Sequence, residues 1–129
     1  MKSENLMIGD YVIRKNVPKE ILIVSAIDSI RDMVYLDLDG LGITEKLTNI
    51  KPIPLTPEIL EKNGFWSQPN VGYVMEEHEY EIIYDLLDHK LRILKNREQI
   101  LNLECFNDMC VHELQHALRL CGVNKTIKL

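Results

Sequence analysis

No window of the 129-residue chain approaches the roughly 18 consecutive apolar residues of a membrane-spanning helix. Residues 1–10 carry charge and no apolar core, so no signal peptide is expected. Basic residues are not in excess. Fifteen Lys and Arg face 20 Asp and Glu, for a net charge of −5, with −2 in residues 1–64 and −3 in residues 65–129. A duplex-binding surface needs a field that draws phosphates, so nucleic acid is disfavoured as a partner. Three cysteines are too few, and odd in number, for a disulfide framework. They read as reduced thiols in a cytosol. There is no Gly-rich phosphate loop, no G-x-S-x-G elbow, no internal repeat and no low-complexity tract. With 46% hydrophobic and 27% charged residues, the composition is that of a folded domain.

The first third of the chain reads as β. Tyr11-Val12-Ile13 follows the turn-type pair Gly9-Asp10. Pro18 then breaks the chain, and Ile21-Leu22-Ile23-Val24 is an apolar run of strand length. Over residues 33–38, Val34, Leu36 and Leu38 alternate with polar neighbours, and Gly40 and Gly42 supply a turn. Residues 44–50 have weaker strand character. Short strands with short turns predict a small SH3-like β-barrel over about 6–52, closed so that no edge is left open.

A connector helix over 57–63 follows. Thr56 is its N-cap, Pro57 its first residue, Leu55 and Leu60 a hydrophobic staple, and Gly64 its left-handed terminator. Leu55, Ile59, Leu60 and Phe65 are expected to be buried, holding the barrel against the second half. Residues 66–78 read as irregular, with Trp66 in the core. Tyr80, Ile82, Tyr84 and Leu86 alternate as a strand, with a helical register Ile83-Leu87-Leu91-Leu94 in competition. Asp88-His89 turns into Leu91-Arg92-Ile93, and residues 100–103 suggest another strand. A helix over 108–121, capped by Asn107 or Asp108 and ended by Gly122, closes this half. Cys110, Leu114, Ala117, Leu118 and Cys121 form its packed stripe, with Val111 at the edge, which makes Cys110 and Cys121 protected thiols. Residues 126–129 then look like a returning strand. Residues 53–129 thus form a helix, a β-sheet and a C-terminal helix in one α+β unit with the barrel.

One pattern on that last helix carries chemistry. His112-Glu113-Leu114-Gln115-His116 fits H-E-x-x-H, in which two histidines one turn apart hold zinc and the glutamate activates water. After His116 the chain offers no His, Asp or Glu. A third ligand would have to come from upstream, with His78, His89 and Glu104 as the options. On a wheel with Cys110 at 0°, His112 lies at about 200° and His116 at about 240°, opposite an apolar stripe centred at about 40°. Both rings are therefore expected on the solvated face. A zinc-dependent hydrolase using His112, His116 and Glu113 is the alternative function; the primary expectation has no metal and no cofactor. Lys90, Arg92, Lys95 and Arg97 form a basic cluster. Glu76, Glu77, Glu79 and Glu81 form an acidic one. Both read as solvated faces, with a self-complementary dimer contact as the sharper possibility.

Two stretches together are recognisable. The segment from Ile50-Lys51-Pro52-Ile53-Pro54-Leu55-Thr56-Pro57-Glu58-Ile59-Leu60 to Gly64-Phe65, with Val111-His112-Glu113-Leu114-Gln115-His116, resembles a family of small uncharacterised proteins. These are carried by phages, prophages and mobile elements of Bacteroides-type gut bacteria. The resemblance implies a phage-linked protein of the host cytoplasm or the virion, with no family active site. In that family the position of His116 is often asparagine, which does not suit a metal ligand. The expected function is non-enzymatic: an interaction or assembly protein that binds a protein partner or itself and engages no membrane.

Overall fold

The computed structural model describes residues 5–105 and 109–129. The protein is α+β, built mostly of strands in two antiparallel five-stranded sheets, with two α-helices among the described residues. The chain divides into two compact units, Met1–Ile53 and Pro54–Leu129. None of the described helices is long and apolar enough to cross a membrane.

The first unit holds β1 (Tyr11–Arg14), β2 (Val17–Asp28), β3 (Met33–Leu38), β4 (Leu41–Lys46) and β5 (Ile50–Pro52), in the order β4-β3-β2-β1-β5. Alternation sends Val12, Leu22, Val24, Val34 and Leu36 to one face, where they form a buried core with Leu6, Leu47 and Ile50. The turn before β1 is fixed by Asp10, whose carboxylate accepts the Met7 N–H at 2.8 Å while Gly9 adopts φ +94°. Asp39 and Gly40, at φ +49° and +87°, make the paired left-handed turn that a tight hairpin requires. Pro18 does not end a strand as expected. The register shift between Ile13 and Arg14 takes residues 18–20 out of the β1–β2 ladder, so its missing N–H costs nothing. Residues 44–50 are not one strand. β4 ends at Lys46, a 3-10 turn covers Leu47–Asn49 and buries Leu47, and β5 begins at Ile50.

The second unit holds α1 (Pro57–Lys62), β6 (Trp66–Gln68), β7 (Gly72–Glu77), β8 (Tyr80–Asp85), β9 (Lys90–Lys95), β10 (Glu98–Glu104) and α2 (Val111–Leu120). Its sheet is a meander in sequence order. α1 starts and stops as its local chemistry dictates. The Thr56 hydroxyl accepts the Ile59 N–H, Gly64 takes φ +90°, and the Phe65 N–H returns to the Leu60 carbonyl at 3.0 Å. Leu55, Leu60 and Phe65 are buried, and Ile59 is half-buried.

Several expectations fail in this unit. Residues 66–78 are not irregular, because β6 and β7 run through them. Pro69 falls between these strands, and Gly72, at φ +117°, lets β7 approach β8. A Cβ there would lie 2.5 Å from the Tyr84 carbonyl oxygen. Trp66 lies on the outermost strand at 45% exposure, not in the core. α2 begins at Val111 with Cys110 as its N-cap; the expected caps Asn107 and Asp108 lie outside the described residues. Cys110 and Cys121 are half-buried, like Cys105, not sealed in the core.

Residues 126–129 do not join a sheet either, for a specific reason. The Gln115 amide donates to the Lys125 carbonyl at 2.9 Å and accepts the Ile127 N–H at 2.8 Å. The Asn63 amide donates to the Lys128 carbonyl and accepts the Lys128 N–H, both at 2.7 Å. Side chains take the place of a neighbouring strand. The end of α2 is closed by Gly122 at φ +78°, with the Val123 N–H donating to the Leu118 carbonyl at 2.8 Å.

Two stability predictions follow from this packing. Leu60, 1% exposed, should cost about 2–5 kcal/mol when truncated to Ala, as large-to-small core changes do. Gln115→Leu keeps the volume but orphans one buried donor and one acceptor, at roughly 1–3 kcal/mol each. Urea unfolding of each variant checks both, and hydrogen exchange at Ile127 should rise in Gln115→Leu by more than its loss of global stability accounts for.

Candidate functional site

The H-E-x-x-H residues are the first candidate, and in α2 Glu113 and Gln115 make structural hydrogen bonds. Its buried residues are Val111, His112, Leu114, Gln115, Ala117 and Leu118. The buried arc is therefore centred near 90° on the wheel, rotated from the expected 40°. His112 is only 5% exposed, against the expectation of a solvated ring, and His116 is half-buried. The two rings meet edge to face, with centroids 5.5 Å apart. Polar residues can enter the buried arc when their hydrogen bonds are met, and Gln115 does so through residues 125 and 127.

Glu113 faces the start of the helix. Its carboxylate accepts the Cys110 N–H at 3.0 Å, the N3-to-N-cap bond of a capping box. A negative group there also favours the helix dipole. The upstream residues considered as a third ligand lie elsewhere. His78 sits at φ +54° in the β7–β8 turn, its side chain 82% exposed and 3.7 Å from Glu77. His89 occupies the β8–β9 turn at φ +52°, and Glu104 pairs with Lys90 at 3.2 Å. Among the described residues, no three His, Cys, Asp or Glu side chains are grouped to hold a metal ion.

The charge clusters are distributed along the second sheet. Glu77 lies 4.0 Å from Lys125, and Lys95 stands 5.5 Å above the Tyr80 ring. Two thiols respond to their surroundings. The Cys105 thiol is pushed above its ordinary range, first by burial and then by the negative charge of Glu113; burial alone does the same to Cys121.

The second candidate is the outward face of the first sheet. Ile21, Ile23 and Tyr35 are exposed by 43%, 38% and 39%. Ile21 and Ile23 share one face of β2 by the two-residue repeat. Tyr11 opposes Ile23 on β1, and Tyr35 lies two residues from Asp37, which opposes Ile23 on β3. The outer face of a small antiparallel sheet is normally polar; here its centre is apolar and aromatic. The signal was the Ile21-Leu22-Ile23-Val24 run. The run, expected as a strand, sends Leu22 and Val24 to the core and the two isoleucines to solvent.

No family model, no curated protein and no solved structure significantly matches this chain.

The thiol near Glu113 gives a test of the helix start. A raised pKa favours the neutral thiol, so at neutral pH Cys105 and Cys121 should react more slowly than a free cysteine with a thiolate-selective reagent. Their rates should climb only above the ordinary thiol range. Glu113→Gln removes the charge and keeps a hydrogen-bond acceptor. It should shift the Cys105 profile to lower pH and leave that of Cys121 in place, as read by mass spectrometry of the labelled peptides.

Proposed function

We propose that this is a non-enzymatic interaction or assembly protein of a phage or prophage, acting through a protein partner or a second copy of itself in the host cytoplasm or the virion. The observation that carries the reading is the apolar centre of the outward face of the first sheet, Ile21, Ile23 and Tyr35. A cluster of this kind on an otherwise well-charged surface favours a protein contact. The phage assignment rests on the sequence resemblance alone. We also read the first unit as an SH3-like barrel. Four strands in a meander, a 3-10 turn at Leu47–Asn49 and a fifth strand that pairs back with the first support that reading.

The zinc-hydrolase alternative has less in its favour, since Glu113 caps its own helix and His112 is buried. The discriminating experiment uses full-length protein purified without a histidine tag. Wild type should self-associate in sedimentation velocity, or retain a stoichiometric protein partner when recovered from prophage-induced cells. Ile21→Lys with Ile23→Lys should lose that association while keeping the wild-type circular dichroism spectrum. A wild-type monomer with no stoichiometric partner overturns the reading. So does one zinc per chain together with peptide hydrolysis that disappears in Glu113→Gln.

A further inference from the structure

The second sheet carries a cavity of about 300 Å³ on its outward face. The strand register explains its composition. Ile83 of β8 opposes Arg92 of β9, which opposes Asn102 of β10, and Asp85 opposes Lys90 in the adjacent row. These five side chains form the wall and floor. Asn70 and Val71, from the turn between β6 and β7, complete the lining. The volume is at the small end of ligand sites, which run from about 300 to 1,000 Å³.

The charges lining the cavity are not equivalent. Lys90 is engaged by Glu104 at 3.2 Å. Asp85 has its carboxylate turned to the β8–β9 turn, where one oxygen accepts the Leu87 and Asp88 N–H groups at 2.9 and 3.2 Å. Arg92 is half-buried, yet its guanidinium makes no hydrogen bond or ion pair with any described residue. The exposed side-chain amides of Asn70 and Asn102 likewise make no hydrogen bond with any described residue. A guanidinium presents a planar fork of donors that matches the oxygens of a carboxylate or phosphate. Two amides beside it can donate to the remaining lone pairs. Ile83 and Val71 supply an apolar surface for the rest of a small molecule.

We propose that this cavity binds a small oxyanion ligand, a compact organic carboxylate or phosphate monoester, with Arg92 as its anchor. The site is independent of the outward face of the first sheet and of H-E-x-x-H. It also explains how a chain of net charge −5 could take up an anion. Lys90 is already balanced by Glu104 and the Asp85 carboxylate accepts backbone N–H groups, so Arg92 is the lining charge left for a ligand.

Titration of the ¹⁵N-labelled full chain tests this, with benzoate and succinate as carboxylates, phenyl phosphate and inorganic phosphate as phosphates, and benzamide as the uncharged control. Saturable shifts are expected at residues 70–71, 83–85, 90–92 and 102, together with the Arg92 side-chain N–H. The stronger of the two series identifies the oxyanion. Arg92→Gln should weaken binding by about tenfold or more, the scale of a lost charge-assisted pair. Arg92→Lys should recover only part of it. Should Arg92→Gln fail to fold, Asn102→Asp serves instead, because a carboxylate opposite Arg92 on the next strand should occupy the fork and abolish binding. The proposal is overturned if no oxyanion gives saturable shifts at these residues. Equal binding of benzamide overturns it too, as does unchanged affinity in Arg92→Gln or Asn102→Asp.

Discussion

Two buried side-chain amides hold the second unit together. Val123 and Ile127 are buried apolar residues in a segment with no regular structure. Burying them takes the backbone around them out of water, where each unpaired N–H or carbonyl would be costly. Gln115 answers with one donor and one acceptor directed two residues apart, at Lys125 and Ile127. That is the bonding pattern a residue of a parallel strand would offer. Asn63 directs its donor and acceptor at a single residue, Lys128, as one half of a closely spaced antiparallel pair would. The amides are themselves nearly sealed from solvent, so each bond satisfies groups on both sides. Asn63 is also the C-cap of α1, and Gln115 lies mid-way along α2. The terminal segment is thus tied to both helices of the unit by side chains rather than by a sheet.

How much of the fold is legible in the sequence depends on whether a signal is local. Thr56, Pro57 and Gly64 act on backbone groups within a few residues, and α1 ends within one residue of expectation. Gly122 stops α2 for the same reason. The alternation of residues 33–38 gives β3 its observed limits. Signals that depend on distant partners are harder to read. Gly72 looks like a loop glycine until β8 is placed 2.5 Å from its absent Cβ. Residues 126–129 have strand-like composition, yet the backbone N–H groups of Ile127 and Lys128 go to side-chain amides 12 and 65 positions away. The rotation of α2 has the same origin. A hydropathy wheel places Gln115 in water because it cannot count the bonds to Lys125 and Ile127 that make its burial tolerable.

The sheet edges show how this protein keeps strands from pairing with strangers. β10 is an outermost strand with Ile100 and Leu103 exposed. Glu98 and Glu104 stand at its two ends. In a symmetric antiparallel pairing of two copies, Glu98 of one would face Glu104 of the other, and like charges directly opposite are destabilising. Lys90 pairs with Glu104 within the chain, which offsets part of that charge. That symmetric register of β10 pairing is therefore opposed.

The helix motif illustrates why chemistry should be sought on the sheet faces. H-E-x-x-H needs its glutamate beside a bound water and its two imidazoles turned together to an open position. In α2 the glutamate is turned to the N-terminus of its own helix, where it satisfies the Cys110 N–H. The residue between the histidines that carries an amide, Gln115, ties down the terminal segment, and His112 lies in the buried arc. Moving Glu113 toward a metal would release the helix cap; turning the helix to expose His112 would withdraw Gln115 from Lys125 and Ile127. The Glu113 carboxylate and the Gln115 amide are thus both committed to interactions within the unit. The sheets face no such conflict. Leu22 and Val24 fill the core from one side of β2 while Ile21 and Ile23 remain on the other. Leu91 and Ile93 do the same beneath Arg92. The pleat itself separates the residues that fill the core from those on the outward face, so the outward faces can vary without disturbing the fold.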